Sequence, residues 1–515
     1  MRTSAAAARR IARALRAGWK HARDAGSALR QKVAEWWLGL SPFPRHLIIN
    51  ICVAAAVGLV LRQPFVQDNA SIAAARAQII SAQMNLMVRF ERGSHNGPDV
   101  RDNRLAWINI DDNAYRAWGV PLMTRRDKLR DLIAFAVKGK PRAVLVDIAL
   151  TDANATNATY GRYDSTLQQY LEAYPKTCVR PCPAIILPRL FGAAQEYAYT
   201  GQPPPAKRAL PSFLDASLGT SAQDPWRTDG PVVWASVEAD HESDSIIRHW
   251  RLWEVACNAA GPASVIPSAP LLAVALLGAS PAANPLGSAL SKIKTALVPH
   301  GTTCARESSI ALAPSRPTTT TLDLGYPFEL TEESLQRLIV YSFGWAPPGT
   351  STQLRTFDDV LDGGAIAANS SADPTYLQGQ IVVIGSSFPQ GGDIHATPVG
   401  EMPGSLILIN EMNSLLNDRE LKPNLALTTL VELACIVIIG WLFTKLRPAE
   451  AILASLAVIF VLGQGLALLV FRSGIWIDTV VPLLGVVTHE IIEQTHDRAA
   501  RIAAGVAATI KSRFT

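Results

Sequence analysis

RLAWINI at residues 104–110, KLRDLIAFAV at 128–137 and AVLVDI at 143–148 decide how this chain folds. The first and third runs are short and rich in β-formers, and the run between them has a helical pattern. Strand, helix and strand in that order predict an α/β domain, a sheet carrying helices on its faces. The alternation continues outward. Residues 184–187, 232–237, 338–342 and 380–385 read as further strands, and 264–277 and 411–416 as helices. Two stretches, 198–225 and 279–320, are rich in Pro, Ala, Ser and Thr and are expected to be surface insertions. The expected fold class is thus an α/β domain built on a mixed sheet flanked by helices.

Around that domain the composition changes. Of 515 residues 49% are apolar and only 18% charged, and the excess gathers in one block near the start and three near the end. Four transmembrane helices are expected, at 46–62, 425–443, 451–471 and 475–492. The apolar core of the first, 47–61, is short beside the roughly 20 residues that cover the hydrocarbon. A cleaved signal peptide is the rival reading, but the core begins only at residue 47 and no small-x-small cleavage site follows it. Lys445 and Arg447 mark the turn between the second and third spans as cytoplasmic. Both ends of the chain then fall inside, with 63–424 outside and 493–515 a short cytoplasmic tail. Glu432, within the second span, reads as a snorkelling or helix-paired carboxylate.

Residues 1–45 hold ten Lys and Arg against Asp24 and Glu35, although the whole chain carries a net charge of only +5. Ile11, Leu15, Trp19, Ala22, Leu29, Val33, Trp36 and Leu40 recur at about the helical period, with Arg9, Arg13, Arg16, Lys20, Arg23 and Arg30 largely opposite. This is the pattern of a basic amphipathic helix lying on a membrane surface. Its candidate lipid-facing residues are Arg9, Arg13, Arg16, Trp19, Lys20 and Trp36. Packing on a partner's cytoplasmic domain would demand a similar face. Pro42 and Pro44 end the helix before the first span.

Four of the six cysteines, Cys178, Cys182, Cys257 and Cys304, lie in the outside region. They allow three pairings, among which sequence alone does not choose. Cys178 and Cys182 are close enough to close a small loop, which would leave Cys257 with Cys304. A metal site is the alternative, but no histidine stands at ligand spacing.

Asp111, Asp112, Asp147 and Asp393 each fall near an expected strand end, where ligand crevices form in open α/β sheets. With Arg125 and His395 they make a candidate ligand site; the plainer reading is turn formers and ion pairs that hold loops. Ser386 follows a strand with Asp393 and His395 nearby, but the Gly-x-Ser-x-Gly elbow of a nucleophile turn is missing. Gly385 is read instead as permitting a bend and Ser386 as a backbone cap. No catalytic residue is assigned and an enzyme is not expected. The chain shows no Gly-rich phosphate loop, zinc spacing or nucleic-acid motif, so neither a cofactor, a metal nor nucleic acid is expected.

Several of these blocks together resemble one family. Ile108-Asn109-Ile110-Asp111-Asp112-Asn113-Ala114-Tyr115 is similar to the opening strand and turn of CHASE2 domains, and Pro141 to Asp147 to their second strand. Pro121 and Arg125, and Asp240 and Arg248, resemble looser versions of two further family features. The longest block runs from Thr356-Phe357-Asp358-Asp359-Val360-Leu361 through Leu377-x-Gly379-x-Ile381-Val382-Val383-Ile384-Gly385-Ser386-Ser387. It continues over Asp393-x-His395-x-Thr397-Pro398 and Met402-Pro403-Gly404 to Asn410. The resemblance covers about 64–420 and implies a periplasmic sensor domain at the bacterial inner membrane, with one span before it and three after. It also implies sensing of an extracytoplasmic ligand. Only 23 residues follow the fourth span, so output is expected to pass to a separate cytoplasmic signalling or assembly protein. Membrane lipid and a second copy of the chain are the other expected partners. The alternative function is a structural subunit of an envelope or secretion complex.

Overall fold

The computed structural model describes residues 70–92, 104–121, 123–151, 158–192, 209–220, 230–242, 244–256, 264–278, 285–296, 320–323, 327–330, 336–347, 356–369, 373–417, 422–423, 425–446, 448–458 and 475–476, with isolated positions at 36, 39, 60, 63, 350, 354, 461 and 465. In chain order the elements are α1 (Ala70–Arg92), β1 (Leu105–Ile110), α2 (Asp112–Ala117), α3 (Arg126–Lys138), β2 (Ala143–Asp147), α4 (Ala158–Thr177) and β3 (Ala184–Arg189). Next come α5 (Asp215–Leu218), β4 (Val232–Ser236), β5 (Ala239–His241), β6 (Ile247–Arg251), β7 (Trp253–Ala256), β8 (Ser264–Pro267), α6 (Ala269–Gly278) and α7 (Pro285–Ala296). The remainder are β9 (Thr320–Asp323), β10 (Pro327–Leu330), β11 (Gln336–Leu338), β12 (Val360–Asp362), α8 (Gly363–Ala368), β13 (Ile381–Ser386), β14 (Ile394–Thr397), β15 (Gly400–Pro403), α9 (Gly404–Leu416), α10 (Leu425–Lys445) and α11 (Pro448–Val458).

Six strands form the central sheet in the order β12-β1-β13-β2-β3-β4. Every neighbouring pair is parallel. The sheet is therefore parallel throughout rather than mixed. Among the described residues, antiparallel pairs form small separate sheets, β5-β6-β11 and the pairs β7-β8, β9-β10 and β14-β15. Burial on both faces explains the near-continuous apolar strand sequences. Leu105, Trp107, Leu145, Ile186, Val233 and Val383 pack in one core with α6 and α9. Ala106, Ile108, Val144, Val146, Ile185 and Val382 pack on the other face with α3 and α4. The result is three layers, helices on both sides of one sheet.

Residues 264–277 were expected to be one helix. The chain is instead a strand up to Pro267 and helical from Ala269. Ser268 sits at the switch, its Oγ accepting from the amide of Leu271 at 3.3 Å, so a side-chain cap starts the helix there. Residues 338–342 form a strand only at Leu338. Beyond it the backbone pairs with side chains of α9. The amide of Val340 donates to Ser414 Oγ at 3.1 Å, and those of Ser342 and Phe343 donate to Asn410 Oδ1 at 2.8 and 3.0 Å.

Cys178 and Cys182 are joined by a disulfide, with Cα atoms 5.5 Å apart. Cys257 and Cys304 lie outside the described residues. The chain divides into two compact units, 74–422 with 468–476, and 1–73 with 423–467 and 477–515. Among the described residues no helix is long and apolar enough to cross a membrane, so the four expected spans are not confirmed. Most of the first and fourth spans lies outside the described residues, and Ile475–Trp476, at the start of the fourth, is extended. Of the surface-helix residues, Arg9, Arg13, Arg16, Trp19 and Lys20 also lie outside them; Trp36 is helical and exposed.

Candidate functional site

At the carboxyl ends of the three central strands one row of residues runs across the sheet. Asn109 of β1 stands opposite Gly385 of β13, which stands opposite Asp147 of β2. By strand alternation the three share the face of Trp107, Val383 and Leu145, the face covered by α9. After β1 and β2 the chain turns to α2, α3 and α4 on the far face, whereas after β13 it turns to β14, β15 and α9 on the near one. Neighbouring strands that leave to opposite sides open a crevice at a switch point.

Gly385 is the centre of that row because nothing larger fits. A Cβ there would lie 2.7 Å from Ser405 Oγ, inside contact of Ser405 Cβ, and 3.4 Å from Asp147 Cβ. The first turn of α9 thus rests directly on β13 and brings the Ser405 hydroxyl beside Asp147. Gly404 makes a second close approach, since a Cβ on it would overlap Asp393 Oδ1 and fall 2.9 Å from Oδ2. The Gly404 amide also donates to the Asp393 carbonyl at 2.9 Å. His395 Nε2 and Asp393 Oδ1 are 3.1 Å apart, and Oδ1 is also the carboxylate oxygen nearer Gly404.

Electrostatically the row is acidic. Burial, and then the Asp393 charge, pushes the Asp147 carboxyl well above the ordinary range. Burial, with the charges of Asp147 and Asp240, does the same to Glu411 on α9. Asn109 Oδ1, Asp147 Oδ2, Asp393 Oδ2, Ser405 Oγ and Glu411 Oε1 are all buried without a hydrogen-bond partner in the structure. Such oxygens are few in folded proteins, and several around one glycine call for an explanation. Among the described residues no three His, Cys, Asp or Glu side chains group at metal-ligating spacing.

The six expected ligand-site residues fall into two sets. Asp147, Asp393 and His395 come together. Asp111, Asp112 and Arg125 are engaged locally. Asp111 caps α2, accepting from the Ala114 amide at 2.8 Å, and Asp112 is paired with Arg116. Arg125 binds Asp127 at 2.6 Å and lies over the Tyr163 ring. Asp111→Ala is accordingly expected to cost about 1 kcal/mol, and Asp111→Ser much less, as for any helix cap. Chemical denaturation of the two variants checks it, and equal losses would deny the cap. Asp240 holds Arg251 at 3.0 Å, while Arg248 holds Glu242 and Asp244. Gly385 makes no bend, being inside β13, and its role is the close approach of Ser405. Ser386 is the last residue of that strand rather than a loop cap.

Asn109, Ser405 and Glu411 were not foreseen. The available signal was a polar residue breaking each of two apolar runs, WINI in β1 and GSLILINEM in α9. With this geometry in place, the comparisons add one match. Residues 53–446 match the family described as the CHASE2 domain. No curated protein and no solved structure matches significantly.

Proposed function

The chain belongs to the CHASE2 family, an extracellular sensor domain family, and from that membership we propose that it is a membrane-anchored sensor that relays ligand binding through its helices to a separate cytoplasmic protein. The ligand site is the crevice at Asp147, Asp393 and Ser405. The observation that carries the reading is the position of the β14–β15 hairpin. Asp393 stands just before it, Asn85 of α1 donates to the Pro398 carbonyl at its tip at 3.3 Å, and α9 begins directly after it. A ligand that moves this hairpin acts on α1 and α9 together. These helices lead, in sequence, to the apolar segments on either side of the domain. Membrane anchoring is supported by those segments and by the clustering of Lys and Arg on one side. The basic residues 1–45 suit anionic lipid headgroups. The relay is a shift between two packings, biased by the domain outside. No catalytic step is assigned to the chain.

Purification of the full-length protein from native membranes in mild detergent, with mass-spectrometric identification of what accompanies it, tests this reading. A signalling enzyme or regulator is expected, and it should be lost when 1–40 or 498–515 is deleted. Recovery of envelope or secretion proteins alone would make the chain an assembly subunit instead, and the relay would be withdrawn.

A further inference from the structure

Resting on that sensor reading, we propose that the crevice binds a hard divalent cation of the calcium or magnesium class, held by Asp147, Asp393, Ser405 and Asn109. Ser405 is fully buried, and its Oγ lacks a partner although it lies against Gly385 beside Asp147. Asp147 Oδ2 and Asp393 Oδ2 lack one too, as does Asn109 Oδ1 on the other side of Gly385. An ion bound among them would give these oxygens a partner and would favour the ionised form of the two carboxylates. Glu411 of α9 has a likewise unpartnered Oε1.

The chemistry of the set selects the ion. All four donors are oxygens, the choice of calcium, magnesium and manganese rather than zinc or copper. Carboxylate and imidazole groups do not suffice by themselves here, so amide, hydroxyl, backbone and water oxygens would complete the shell. An organic ligand is disfavoured, because Ser405 and Asp393 press on Gly385 and Gly404 closer than a methyl group allows. His395 has the place of an outer-shell partner. It engages Asp393 Oδ1 and leaves Oδ2 without a partner for the ion. Binding ties β2 to the Asp393 loop and to the start of α9, the two parts through which the relay runs.

The experiment uses the full-length chain in detergent, stripped with a chelator at neutral pH. Thermal unfolding is followed by tryptophan fluorescence as calcium or magnesium chloride is added. A saturable rise of several degrees is expected with wild type and none with Asp147→Asn. Should Asp147→Asn not fold, His395→Ala decides: its half-saturating concentration should rise by about 10- to 100-fold. No rise with either ion, or an unchanged one in both variants, overturns the proposal. Stabilisation by acid alone also overturns it, because the oxygens would then share a proton. Any of these failures leaves the sensor reading standing, since the co-purified partner tests that reading separately.

Discussion

Asn410→Leu is expected to lower the unfolding free energy of the α/β domain by about 2–5 kcal/mol, although the side chains are close in size. Asn410 is fully buried on α9, and its Oδ1 is the acceptor for two consecutive backbone amides, those of Ser342 and Phe343. Its Nδ2 donates to the carbonyls of Phe343 and Leu406 at 3.2 and 2.9 Å. Leucine fills the space but strands both amides in the core, and each such donor costs about 1–3 kcal/mol. The neighbouring contact gives an internal scale. Ser414 Oγ accepts from the Val340 amide alone, so Ser414→Ala should cost about half as much. Urea unfolding followed by tryptophan fluorescence measures both. A loss below about 1 kcal/mol for Asn410→Leu would mean that the 339–343 segment finds other partners.

That prediction rests on a feature the sequence hid. LIVYS at 338–342 has the composition of a strand, and a strand reading assumes a backbone partner. Here the partner is a helix face made of Asn410, Asn413 and Ser414, about one turn apart. Local pattern names residue types but not who answers them. The strands β1, β2, β3, β4 and β13 were legible because a strand buried on both faces must be apolar along its length. Their order was not. β13 enters between β1 and β2 late in the chain, and nothing local marks that insertion.

The site divides along the same line. Asp147, Asp393 and His395 could be found because acidic residues at expected strand ends stand out against apolar runs. Asp111 and Asp112 carry the same signal but serve as a cap and an ion-pair partner, a distinction only the geometry makes. Asn109 and Ser405 became visible through register and close approach, both of them tertiary facts. Freedom to bend is what a glycine suggests locally, yet Gly385 lies within a strand and matters for the side chain it lacks.

Gly385→Ala is the direct test of that last point and should cost about 3 kcal/mol, the upper end for overpacking a core. The added methyl would overlap Ser405 Cβ and lie 2.7 Å from its Oγ. Ser405 Cβ is fixed to the α9 backbone, so no rotamer change relieves the overlap, and the helix or β13 has to move. Removing the obstacle should restore much of the loss. Ser405→Gly alone is expected to cost about 1 kcal/mol through helix propensity. Gly385→Ala with Ser405→Gly should then be more stable than the sum of the single losses by about 1–3 kcal/mol, a coupling that a double-mutant cycle reads directly. Additive losses would mean that α9 does not rest on β13 at this point. The Ser405 hydroxyl would then not stand beside Asp147, and the crevice would lose the contact that joins the sheet to the helix.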